Sequence, residues 1–204
     1  MSRKQLVFFA CMLFVPFNSY GDVGGKDDTG WFVGGLVGTT STNTEMKNTF
    51  SQNKNTGVYG AYGGYNFTDW FGLEGSYFNT GDVSDSRTNL IKASYFGLTI
   101  APKVTYRVTP FFSIYAKAGL AYLNYKETYD NVIFFVRGTE QTWSGITSTL
   151  GVGGQFDIKY GIKVRIGFDR VAGSIGSNDK TSYNDIANID AKLNSISLGV
   201  HYQF

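Results

Sequence analysis

The chain reads as an all-β fold, an eight-stranded antiparallel up-and-down β-barrel that crosses a membrane. Three observations predict it. Apolar and polar residues alternate in runs of roughly ten from one end to the other. Short and long connections between these runs strictly alternate, and every charge inside a run falls on the same face. Composition agrees. The 204 residues include 26 glycines, 17 phenylalanines and 14 tyrosines but 3 prolines, which suits pleated surfaces and close backbone approach. The length favours one domain.

Before the first run lies a segment of another kind. Arg3 and Lys4 precede an apolar run, Leu6 to Phe17, and Ser19-Tyr20-Gly21 follows with small residues flanking a bulky one. That pattern predicts a secretory signal peptide over 1–21 and a barrel domain over 22–204. The apolar run is too short for a membrane-spanning helix. Cys11 lies inside it, not at its end, so acylation as a lipoprotein is not expected. Removal of 1–21 takes away Arg3, Lys4 and the single cysteine, leaving 16 basic against 16 acidic residues. A neutral exported chain without cysteine offers neither a disulfide framework nor an electrostatic footprint for nucleic acid.

The runs predict strands near 31–39, 58–67, 71–78, 95–106, 111–124, 149–160, 162–169 and 195–204. Tight connections fall at Thr68–Asp69, Arg107–Pro110 and Gly161; long ones cover 40–57, 79–94, 125–148 and 170–194. Long loops need a reason in a compact domain, and a membrane barrel supplies it with short turns on one side and long loops on the other. One register carries Trp31, Val33, Val37, Leu73, Leu98, Ile100, Leu120, Val152, Ile166 and Leu198 and no charge. The other carries Glu74, Lys103, Lys117, Asp157, Lys159, Lys163, Arg165 and Asp169.

Alternation alone does not say which face points outward, since a soluble ligand-binding barrel alternates too. The polar face is rich in glycine (Gly34, Gly60, Gly64, Gly97, Gly119, Gly151), as the cramped interior of an eight-strand barrel requires. Aromatic residues gather at strand ends, where a membrane barrel places its interfacial girdles. The long loops all fall on one side. The apolar face therefore meets lipid. The last strand ends in alternating Val200, Tyr202 and Phe204, because it must pair with the first to leave no open edge in lipid.

The segments GWFVGGLVG (30–38), YGGYNFTDWFGLEGSY (62–77), LTIAPKVTY (98–106), IYAKAGLAY (114–122), KVRIGFD (163–169) and SLGVHYQF (197–204) resemble the transmembrane domain of the outer-membrane protein A family. The resemblance implies a Gram-negative outer membrane, periplasmic termini and extracellular long loops. It implies lipid and lipopolysaccharide as surroundings, and recognition of Val200, Tyr202 and Phe204 by the barrel-assembly machinery. It also implies that Glu74, Lys103, Lys117 and Arg165 share a lumen layer, as a structural plug or a gate. Family acidic positions fall on Gln155 and Gly167, and a basic one falls on Leu36, which weakens the case for switching between ion pairs. The soluble cell-wall-binding domain of larger relatives is not expected here.

Other candidates carry less chemistry. His201, the single histidine, stands on the lumen face without a cysteine or carboxylate cluster, so it reads as lumen filling and not as a metal or catalytic site. No nucleophile, base and acid stand out together, and neither an enzyme nor a cofactor is expected. The glycine clusters at 60–66 and 151–157 do not lead into helices, so they are not phosphate loops. The run Val132, Ile133, Phe134, Phe135 and Val136, with Trp143 beyond it, is unusual for a polar loop. It reads as a projecting hairpin, as a contact patch for a host-cell surface or matrix, or as both. Two functions stay open: surface display for adhesion, recognition or resistance to host factors, and a narrow or gated channel through the lumen.

Overall fold

The computed structural model describes residues 28–46, 50–81, 83–84, 91–129, 140–177 and 188–204. The expected leader over 1–21 and the apolar run Val132–Val136 lie outside the described residues, as does the Lys159 side chain. The strands are β1 (Gly30–Met46), β2 (Phe50–Asn66), β3 (Phe71–Thr80), β4 (Val83–Ser84), β5 (Ile91–Thr109), β6 (Phe112–Tyr129), β7 (Glu140–Lys159), β8 (Ile162–Ser177) and β9 (Asn188–Gln203). The two residues of β4 continue β3 along the same partner, β5, so the barrel has eight staves among the described residues.

All neighbouring strands are antiparallel, and the ring closes where β9 returns to β1. That ladder runs from Phe32 opposite Gln203 to Glu45 opposite Asp190. At its lower end, the Phe204 amide donates to the Trp31 carbonyl at 2.9 Å. The tight connections sit at the end of the barrel that holds Phe204. Between β7 and β8, Tyr160 and Gly161 both take positive φ, 55° and 80°, the backbone of a two-residue hairpin whose twist matches its strands. Between β2 and β3, the Thr68 hydroxyl accepts from the Phe71 amide at 3.0 Å.

At the other end the structure departs from the sequence reading. Within the spans 40–57, 79–94, 125–148 and 170–194, every described residue except Gly81 is strand rather than loop. Pairing continues up to Met46 opposite Phe50 on β1 and β2, and up to Thr128 opposite Glu140 on β6 and β7. A ladder needs backbone partners, not apolar side chains, so it runs on past the point where lipid-facing alternation stops.

The two faces explain why the alternation seems to stop. Along β9, Ile196, Leu198, Val200 and Tyr202 all point outward and are exposed, as is Phe204 just after it. Trp31, Val33, Val37, Ile100, Leu120, Val152 and Ile166 do the same on other staves. A continuous exposed apolar girdle of this kind marks a lipid-facing surface. From Ile196 to Phe204 it spans on the order of 20 Å for a tilted strand, close to a bilayer core. Aromatic rings edge it: Trp31, Tyr106, Phe111, Tyr160 and Phe204 at one rim, Tyr59, Tyr77 and Tyr122 at the other.

Beyond the second rim the pattern inverts. Lys126, Arg170 and Ser174 now face out, while Leu123, Tyr125, Val171, Ile175 and Leu193 are buried inside. With Val58, Phe78, Tyr95, Ala121, Trp143 and Ala191 they form one apolar cluster that caps the lumen. Trp143, expected in the loop patch, is part of this cap. It lies on β7 opposite Tyr125, 4% exposed, with ring centroids 5.4 Å apart. Water outside this end drives apolar side chains inward, as in any soluble barrel.

Leu198, opposite Val37 and Ile166 in mid-girdle, is expected to lose about 2–4 kcal/mol of folding free energy in bilayers on replacement by Arg, against about 0–1 kcal/mol for Asn194→Arg. Denaturant titration of folding into vesicles measures both, and equal costs would sink the girdle assignment. In the same assay the fully buried Leu123 should cost about 2–5 kcal/mol on truncation to Ala. A negligible change would mean that the cap is not packed.

Candidate functional site

The site is the lumen below the cap, and strand register builds it. Glu74 on β3 stands opposite Gly64 and Ala101, small residues that leave room for its side chain. Lys103 and Lys117 face one another across β5 and β6. Like charges so placed repel, and a carboxylate between them reverses the sign. Arg165 on β8 lies opposite Gln155 and Gly199. A Cβ on Gly199 would meet the Arg165 stem at 3.2 Å and the Tyr62 hydroxyl at 3.0 Å, so a larger residue there would crowd the guanidinium.

The four expected charges do meet. Glu74 is 1% exposed. Its Oε1 accepts from Lys117 Nζ at 2.9 Å and its Oε2 from Arg165 Nη1 at 2.8 Å. Lys103 Nζ lies 3.9 Å from the same Oε2. Lys117 also bridges to Asp169 Oδ1 at 3.0 Å. Aromatic rings complete the layer. The Arg165 guanidinium carbon sits 3.3 Å from the centroid of Tyr62, and Lys103 Nζ 4.0 Å from that of Phe32. Such faces attract cations where water is excluded. The Tyr62 hydroxyl shares a hydrogen bond of 3.0 Å with His201 Nδ1, so the histidine braces this layer.

A second ionic layer closes the barrel nearer the termini, and it contains a residue the sequence reading missed. Asp28 accepts from Lys163 Nζ at 2.7 Å and pairs with Arg107. Lys163 also reaches Asp157 at 3.0 Å. The Asp28 backbone is held as well. Its amide donates to Asp69 and its carbonyl accepts from Asn66 Nδ2, each at 3.0 Å. Asn66 Nδ2 also donates to Gln203 Oε1 at 3.1 Å. Asp28 precedes the first alternating residue, so no periodicity marks it. The acidic pair Asp27-Asp28 just ahead of a strand was the available signal.

The interior therefore holds three fillings in series: the Asp28 layer, the Glu74 layer and the aromatic cap. Eight staves leave a core that side chains can fill. A buried ion pair adds little net stability, but deleting one partner strands the others. Glu74→Gln should destabilise the barrel by about 3–5 kcal/mol, and Asp169→Asn, at the partly exposed rim of the cluster, by clearly less. Urea unfolding midpoints in micelles compare the two, and equal effects would remove Glu74 as the hub. Val200, Tyr202 and Phe204 line the outer face of the closing strand, with the Tyr202 and Phe204 rings 5.0 Å apart.

Solved structures share this architecture. Neisserial surface protein A aligns with 86% of this chain and 98% of its own, at a TM-score of 0.61 and 11% identity. Ail, the attachment invasion locus protein of Yersinia pestis, aligns over 86% and 99%, at 0.52 and 16% identity. OprG, an outer membrane protein of Pseudomonas aeruginosa, aligns over 90% and 99%, at 0.54 and 14% identity. At such identities the likeness is one of fold. No curated protein sequence matches the chain. The model of the outer membrane protein beta-barrel domain matches residues 7–204, which bears out the resemblance first seen in the strand segments. By that match this chain belongs to the outer membrane β-barrel family of Gram-negative bacteria.

Proposed function

We propose that this protein is a surface-display barrel: its staves anchor it in the outer membrane, and its work is done at the hairpin end by adhesion, surface recognition or resistance to host factors. The observation that carries this reading is the filled lumen. Two ionic layers and an aromatic cap lie in series, leaving the projecting strands as the part suited to act. The termini then face the periplasm and the hairpins the exterior. Val200, Tyr202 and Phe204 serve the assembly machinery, and the girdle meets lipid and lipopolysaccharide. The contact residues are Val132, Ile133, Phe134, Phe135 and Val136, an apolar run suited to a host surface or matrix. The names of two neighbours support the reading: one is a neisserial surface protein and one an attachment invasion locus protein. The latter is also known in complex with the heparin analogue sucrose octasulfate.

A channel gated by Glu74, Lys103, Lys117 and Arg165 is the second reading. It draws on the two cations that share Glu74 Oε2, at 2.8 and 3.9 Å, an arrangement in which one partner could replace the other. Two measurements separate the readings. Deleting Asp130–Gly138 should abolish binding to host cells or matrix while leaving heat-modifiable gel migration intact; unchanged binding would discard the contact run. In planar bilayers the folded protein should be silent. Discrete openings altered by Glu74→Ala would move the function into the lumen.

A further inference from the structure

Charge does not balance around Glu74. Lys103, Lys117 and Arg165 converge on this one carboxylate, and Asp169 adds a second through Lys117. Lys163, the next cation towards the termini, is engaged by Asp28 and Asp157. Among the described residues the Glu74 layer thus carries three cations and two carboxylates. Lys103 and Arg165 are each 3% exposed, too buried for bulk water to absorb the excess.

One buried donor of this layer has no hydrogen-bond partner, and the other cation is held only loosely. Arg165 spends Nη1 on Glu74, while its buried Nη2 has no hydrogen-bond partner. Lys103 stands 3.9 Å from Glu74 Oε2, beyond hydrogen-bond length, with the face of Phe32 on another side. An ammonium has three N–H groups to place. The two cations lean on adjacent rings, since the Phe32 and Tyr62 centroids are 6.4 Å apart, and both approach the same Glu74 oxygen.

We propose that Lys103 Nζ and Arg165 Nη2 form an internal binding site for one small monovalent anion of the halide class. One negative charge neutralises the layer. A monatomic ion also suits a site with two donors better than a tetrahedral oxyanion, which calls for more donors than these. The inference is independent of what the hairpin end recognises.

The test is the chloride NMR line width of the protein in uncharged detergent, at fixed ionic strength with gluconate as the balancing anion. The expected result is line broadening above that of empty micelles, displaced by bromide. Gln155, buried and directly opposite Arg165, supplies the decisive variant. Gln155→Glu places a carboxylate beside the guanidinium, and Lys103→Met removes the excess cation. Each should return the line width to that of empty micelles, and if one fails to fold the other decides. Absence of excess broadening in the wild type, or broadening that survives in a folded variant, overturns the proposal.

Discussion

Every backbone N–H and C=O within a bilayer must find its partner inside the protein, and the rest of this structure follows from that demand. A sheet meets it only by closing on itself. β9 therefore returns to β1 over a long unbroken ladder, and the chain reaches Phe204 while still hydrogen-bonded to Trp31. Eight staves set a narrow lumen, and a narrow lumen must be filled. The glycines on the inner face make that filling possible. At Gly151, for example, a Cβ would collide with the side chains of Lys117 and Asp169.

The second organising influence is the change of solvent along the barrel axis. Where lipid surrounds the staves, apolar side chains face outward and the interior takes charge. Where water surrounds them, the hydrophobic effect returns and the faces exchange roles. Val171 and Leu193 are buried in the cap, although Phe168 and Ile196, three residues away along the same staves, point outward. One continuous ladder thus carries two opposite patterns. The transition sits at the upper aromatic rim, where Tyr59, Tyr77 and Tyr122 stand.

Inside the girdle, electrostatics replaces hydrophobic packing. Burial limits competition from solvent, and the two most buried carboxylates, Glu74 and Asp28, each collect several cations. Glu74 gathers three among the described residues, and Asp28 gathers Arg107 and Lys163. Aromatic faces take up part of what remains, with Tyr62 under Arg165 and Phe32 under Lys103. The arrangement joins β3, β5, β6 and β8 across the lumen, so it braces the ring.

The sequence by itself determined the barrel class, the closing strand and the identity of the charges around Glu74. All three are written in a period-two pattern that local sterics make readable. It also placed Glu74, Lys103, Lys117 and Arg165 on one face, because their phase within each strand is set by their neighbours. Only the tertiary structure decided three further things. The hairpins continue as strands because backbone pairing leaves no side-chain signature once the alternation changes phase. Trp143 belongs to the cap because an inverted pattern, read with the lipid-facing rule, looks like a loop. Asp28 belongs to the lumen because its partners, Arg107 and Lys163, lie on distant staves. Such contacts exist only once the ring has closed, since closure, not sequence proximity, brings those residues together.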